Sequence, residues 1–165
     1  MSLQRLMNVL DHLNELHLQL LSIAEEKKDI IARNQVDQLS LLMTKESRLL
    51  KQVAEADEER VAAAHAFLQE KGIRSQLNLT ISEIARLVFQ PEERLRLQET
   101  QQRLSETLQK LKEKNAVIQS LLHQSLDFVE YSLNLFTSRP EDDVVYQHPA
   151  QANSKLTRRM FDTRG

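Results

Sequence analysis

The chain has 165 residues, enough for one modest core but not for two. Its 22 lysines and arginines nearly balance 24 aspartates and glutamates, which gives no broad electrostatic attraction for nucleic acid or an anionic membrane. Cysteine is absent, which excludes a disulfide framework, a thiol nucleophile and a thiolate metal site.

Two glycines, three prolines and little aromatic content, set against many Leu, Gln, Glu, Lys and Ala, favour helix over sheet. The opening stretch MSLQRLMNVLDHLNEL has neither a continuous apolar run nor a small-residue cleavage site, so no signal peptide is expected. No window approaches about 18 uninterrupted apolar residues, so no membrane span is expected and a cytoplasmic location is predicted.

In chain order, residues 2 to about 34 carry Leu3, Leu6, Leu10, Leu13, His17, Leu20, Ala24 and Ile31 at alternating spacings of three and four, with a gap at Lys27. That spacing belongs to a helix packed along its length against another. Asn34, Gln35 and Asp37 interrupt it with turn chemistry. A second helix is predicted from about 37 to 71 through Leu39, Leu42, Met43, Leu49, Leu50, Val53, Val61, Ala64, Phe67 and Leu68, ended by Gly72 in the left-handed conformation. So short a break makes the pair an antiparallel αα-hairpin.

Residues 73–79 read as a connector. Thr80 with Glu83 fits a capping box for a short helix, predicted over 80–89. Pro91 followed by Glu92 and Glu93 opens the last helix, predicted over 91–138 and stopped before Pro140. Its seam is Leu97, Leu104, Leu108, Leu111, Asn115, Ile118, Leu122, Ser125, Val129 and Phe136, with the polar stretch 92–103 expected to pack less tightly. Asn115 either fixes register or faces water.

The composite is an all-α, elongated antiparallel helical bundle, a coiled-coil hairpin with a long C-terminal helix, in one domain over 1–138. Helices of 33 to 47 residues imply lengths of roughly 50 to 70 Å. Residues 139–165 have too little apolar content to fold alone and are predicted to form a flexible, disordered tail.

The end of the last helix, LLHQSLDFVEYSLNLF, carries more apolar surface than one packing face needs. On a helical wheel Ile118, Leu122, Val129, Leu133 and Phe136 share one face, and Leu121, Phe128 and Leu135 form a neighbouring row with Tyr131 beside it. Together they span an arc of roughly 200°, against about 100° for a surface helix that only packs on a core. The surplus predicts a binding protein.

Recognisable chemistry is absent by contrast. Two glycines cannot build a phosphate loop. None of the five histidines has a glutamate three residues before it, as a helical di-metal site needs. The sequence therefore predicts no enzyme, no metal and no cofactor, and His17 reads as a packing residue.

The chain resembles the FlgN family of flagellar export chaperones. The likeness rests on LQRLMNVLDHLNELHLQLLSIAEEKKDIIARN, on VDQLSLLMTKESRLLKQVAE with its leucine, lysine–glutamate, paired-leucine order, and on NAVIQSLLHQSLDFVEYSLNLF with Asn115, Leu121–Leu122, Ser125 and Phe128. The resemblance implies a cytosolic chaperone that binds C-terminal helices of hook-associated junction proteins. It would keep them unpolymerised and deliver them to the type III export gate. Client binding then maps onto Leu121, Leu122, Phe128, Val129, Tyr131, Leu135 and Phe136. Docking on the cytoplasmic domain of the export-gate membrane protein maps onto Tyr146 in the tail, although a family glycine a few residues beyond that tyrosine is replaced here by Gln147-His148-Pro149. The alternative is a structural coiled-coil adaptor or homo-oligomerisation module without an export role, and a homodimer in the absence of client fits either reading.

Overall fold

A computed structural model describes residues 1–74 and 79–137. Among these residues every regular element is an α-helix: α1 (Ser2–Ala32), α2 (Val36–Glu70), α3 (Ile81–Arg86) and α4 (Pro91–Thr137). The predicted disordered tail, Tyr146 and Ser138 lie outside the described residues. The chain divides into two compact units, Met1–Ser125 and Leu126–Gly165.

In the first unit α1 and α2 form the predicted hairpin. The Ser2 hydroxyl donates to the Glu70 carboxylate, and 2.6 Å separates Lys27 Nζ from Glu46 Oε2. Rising numbers on one helix meet falling numbers on the other, so the pair is antiparallel. At 1.5 Å per residue, the 31 and 35 residues of the two helices span about 46 and 52 Å.

Both helices stop by the same device. Asn34 (φ 58°) and Gly72 (φ 75°) take left-handed backbone, the conformation open to glycine and tolerated by asparagine. Gln35 N–H then donates to the Ile30 carbonyl and Asn34 N–H to Ile31; Ile73 N–H donates to Leu68 and Gly72 N–H to Gln69. Each pair of bonds is a Schellman motif, which satisfies carbonyls that the helix end leaves over. The helices consequently end at Ala32 and Glu70, slightly earlier than the periodicity alone suggests.

The capping box at Thr80 is formed: Thr80 Oγ1 accepts from Glu83 N–H, and Glu83 Oε2 accepts from Thr80 N–H at 2.7 Å. α3 is nevertheless shorter than predicted, ending at Arg86. Val88 is drawn into the core, and its carbonyl accepts from Arg94 Nε and a terminal guanidinium nitrogen at 3.2 and 2.7 Å instead of continuing the helix. Pro91 three residues later could not supply the N–H that a longer helix requires.

α4 runs parallel to α1. Arg103 pairs with Asp11 at 3.2 Å, Thr107 Oγ1 donates to Asn14 Oδ1 at 2.7 Å, and Lys114 pairs with Glu25. The backbones of α1 and α2 approach closely, whereas α4 rests on the hairpin through side chains.

Serving two neighbours, α1 buries more than the single predicted row. Met7, Val9, Leu16 and Ile23 are enclosed as well as Leu3, Leu6, Leu10, Leu13, Leu20, Ala24 and Ile31. His17 is half-buried, as its seam position predicts, with Nδ1 donating to the Leu13 carbonyl. The α2 partners include Ala56 and Ala63, whose small side chains allow the close approach.

The expected seam of α4 needs correction. The enclosed side chains are Leu97, Thr100, Thr107 and Ile118, with Leu104, Leu111 and Leu121 half-buried between them. Leu108, Leu122, Val129 and Phe136, predicted in the seam, are exposed. The stretch 92–103, expected to pack loosely, is instead anchored by fully buried Leu97 and by the Arg94–Val88 bonds. Polar composition misled here because a polar residue of that stretch, Thr100, occupies a core position.

Candidate functional site

The predicted client-binding residues fall in both units. In the first, Leu121 is half-buried against Ala24, Ile31 and Ile118 at the turn end of the hairpin, while Leu122 turns outward. Leu121 is therefore mainly a packing residue. The continuation of its row passes through Ser125, half-buried, whose hydroxyl donates to the Leu121 carbonyl at 2.9 Å.

In the second unit the described residues are Leu126–Thr137, the last turns of α4. Phe128, Val129, Tyr131, Leu135 and Phe136 are all exposed there, together with Leu126 and Leu133. Exposure runs from 53% at Val129 to 89% at Phe136. At 100° per residue these side chains occupy an arc of about 220°, leaving Asp127, Glu130, Asn134 and Thr137 on the remainder. Single exposed leucines are ordinary; a contiguous apolar arc on one short segment is not.

The site list missed a second apolar feature, wholly within the first unit. Between α2 and α4 an open groove of about 530 Å³ is walled by Leu50, Val53 and Ala54 on one side and Leu104 and Leu108 on the other. Leu10, Leu13 and His17 of α1 form its floor. Leu50 and Leu108 are 52% and 42% exposed. The sequence held a signal for it, since Met43 and Leu50 stand seven apart on α2 and fall off the row that faces α1.

Polar chemistry is sparse. Among the described residues no cluster of three or more His, Asp or Glu has metal-holding geometry, and no helix is long and apolar enough to cross a membrane. A depression on the other side of α4, between it and α1, is lined by Glu25, Lys28, Lys110, Glu113 and Lys114 over Leu21 and Val117. The Lys114–Glu25 ion pair closes one side of it, and it presents no unpaired buried group.

The chain is 25% identical over 166 residues to the uncharacterized protein YvyG of Bacillus subtilis (strain 168), covering 99% of each. No solved structure matches the chain. The family described as FlgN protein matches residues 1–154, nearly the whole sequence. The chain belongs to the FlgN family.

Proposed function

We propose that this protein is a cytoplasmic chaperone that holds C-terminal helical segments of hook-associated junction proteins on the apolar face of Leu126–Thr137, keeps them from polymerising and brings them to the export gate. Family membership supports the general role of a flagellar export chaperone, a non-enzymatic function. The observation that carries the finer reading is the second unit's apolar arc, in which Leu126, Phe128, Val129, Tyr131, Leu133, Leu135 and Phe136 are each more than half exposed.

Client segments that assemble as coiled coils present an apolar seam when alone, and a helix with a wide apolar face can cover it by helix-in-groove packing. Burying Phe128, Leu135 and Phe136 would contribute roughly 1.5 to 3 kcal/mol each. Ordering two helices removes a large part of that, leaving an affinity suited to a client that must be released. Tyr146, outside the described residues, is the candidate for export-gate docking by family resemblance.

The test is capture of a junction-protein C-terminal fragment by the full chain and by its Phe128→Asp/Phe136→Asp variant. Both side chains are exposed, so helicity should be retained. Loss of capture with unchanged circular dichroism is the expected result. Capture at wild-type level would exclude the face. A wild-type dimer that the same variant converts to monomer, with no client bound by either, would favour the adaptor reading.

A further inference from the structure

The groove between α2 and α4 is already occupied along part of its length. α3 and the residues after it lie there, with Ile84, Ala85 and Val88 buried among Ala63, Ala64, Phe67 and Leu97. Gln101 of α4 donates to Ser82 of α3 at 2.8 Å. Occupation stops at Ile81, which forms the end wall of the open section. Beyond it Leu50 and Leu108 wall the open section, and Met43 and Leu122, one and two heptads further along α2 and α4, are exposed like them.

We propose that the open section seats an amphipathic helix of the client, in line with α3, with leucine-type residues at heptad spacing and acidic flanks. Three observations select that occupant. The adjoining section of the same groove takes a helix whose contact residues, Ile81, Ile84 and Ala85, follow helical spacing. Exposed Met43 and Leu50 on α2, and exposed Leu108 and Leu122 on α4 with half-buried Asn115 between them, fall on seven-residue repeats, which matches a heptad partner and places a polar side chain opposite Asn115.

The outward flanks select charge. On α2 they are Ser40, Ser47 and Ala54, which permit close approach, followed by Lys51; on α4 they are Ser105, Lys112 and Gln119. Lys51 and Lys112 are exposed, and neither forms an ion pair among the described residues. The acid and base nearest the mouth, Asp57 and Arg60, are engaged with each other at 2.6 Å. Glu58, exposed and one heptad on from Lys51, offsets one of these two charges, which leaves the flanks with a net positive charge that favours glutamates beside the incoming seam.

This inference rests on the reading that the protein binds helical client segments, and adds a second seat distinct from Leu126–Thr137. The probe is a heptad peptide of about three heptads with leucine at the seam and glutamate on the flanks, titrated into the full chain beside an otherwise identical peptide with lysine on the flanks. The glutamate peptide should bind at least ten times more tightly. Leu50→Glu/Leu108→Glu should weaken it at least tenfold, and Lys51→Glu/Lys112→Glu should invert the preference between peptides. The second variant alters exposed side chains only, so it remains informative if the first disturbs packing. Phe128→Asp/Phe136→Asp should leave this titration unchanged.

Equal binding of both peptides, or tight binding retained by the groove variants, would overturn the proposal. Loss confined to Phe128→Asp/Phe136→Asp would overturn it while sparing the function proposed above. A wild-type dimer that Leu50→Glu/Leu108→Glu converts to monomer would assign the groove to a second copy of the chain and equally overturn it.

Discussion

The Thr107 hydroxyl lies 2.7 Å from Asn14 Oδ1 and 3.0 Å from the carbonyl of Arg103, one turn earlier in its own helix. A hydroxyl has one proton and serves one acceptor at a time. Bonded to Asn14, it is a polar pin between α4 and α1 at a buried position. It fixes which turn of α4 meets which turn of α1, where leucines alone would tolerate a slip of one heptad.

Replacing Thr107 by valine keeps the shape and removes the donor. The variant should lose about 1 kcal/mol, because Asn14 is half-buried and recovers only part of its bonding from water. Asn14→Leu/Thr107→Val removes both partners and should cost less than the sum of the two single changes. Chemical denaturation of the four proteins measures the coupling, and strict additivity would show that the contact contributes nothing.

The start of α4 is predicted to be the most sensitive part of that helix. Leu97 is completely buried, so Leu97→Ala should destabilise by about 2–5 kcal/mol through lost transfer energy and the cavity left behind. Leu95, two residues away and 57% exposed, should tolerate alanine within about 0.5 kcal/mol. Thermal unfolding of the two variants side by side checks the contrast.

These residues show how far the sequence is legible. Helix order, the hairpin, the glycine stop and the capping box could all be read, because each depends on local spacing or on one residue with special backbone freedom. The assignment of α4 side chains to inside and outside could not, since it depends on where α1 and α2 stand. Two heptad rows one residue apart, 100/107/114/121 and 101/108/115/122, look equally apolar near the C-terminus. Only contact with Asn14, Glu25 and Ala24 shows that the first row faces the hairpin. The exposure of Phe128 and Leu135 was legible because the arc is wider than any single neighbour could cover, whereas Val129 and Phe136, read as seam residues, are exposed as well. The groove at Leu50 and Leu108 was not, because it arises from the spacing of two helices far apart in sequence.

Two carboxyls tie stability to pH. The Ser2 hydroxyl holds the Glu70 carboxyl below its ordinary value of 4.5, and the Thr80 backbone N–H and hydroxyl do the same for Glu83. A depressed folded value means that the stabilisation is full above 4.5 and is lost as pH falls through the folded value. The destabilisation caused by Ser2→Ala should therefore be constant from neutral pH to about 5 and shrink at lower pH, where a protonated Glu70 no longer gains from the donor. Thr80→Ala should shrink only in part, because Thr80 Oγ1 also accepts from the Glu83 N–H whatever the carboxyl's charge. Urea unfolding across this range measures both differences, and a Ser2→Ala penalty that grew on acidification would contradict the assigned direction.

The two helix stops should respond in opposite ways to alanine and glycine. At Gly72 a methyl group would meet nothing within 4 Å, so the only penalty of Gly72→Ala is the left-handed backbone at φ 75°. That conformation costs a non-glycine residue about 1 kcal/mol, partly offset by the reduced freedom of the unfolded chain, and the net loss should be somewhat below that figure. Asn34 holds the same geometry at φ 58° with a side chain that tolerates it. Asn34→Gly relieves residual strain but adds unfolded-state entropy, and should change stability by less than about 0.5 kcal/mol. Asn34→Ala should cost more than Asn34→Gly, since alanine brings a Cβ without the local hydrogen bonding of asparagine. Equilibrium unfolding of the three variants gives the order Asn34→Gly, then Asn34→Ala and Gly72→Ala as the costlier pair. If Gly72→Ala were as stable as the parent, the left-handed stop at the end of α2 would not be the conformation the protein holds in solution.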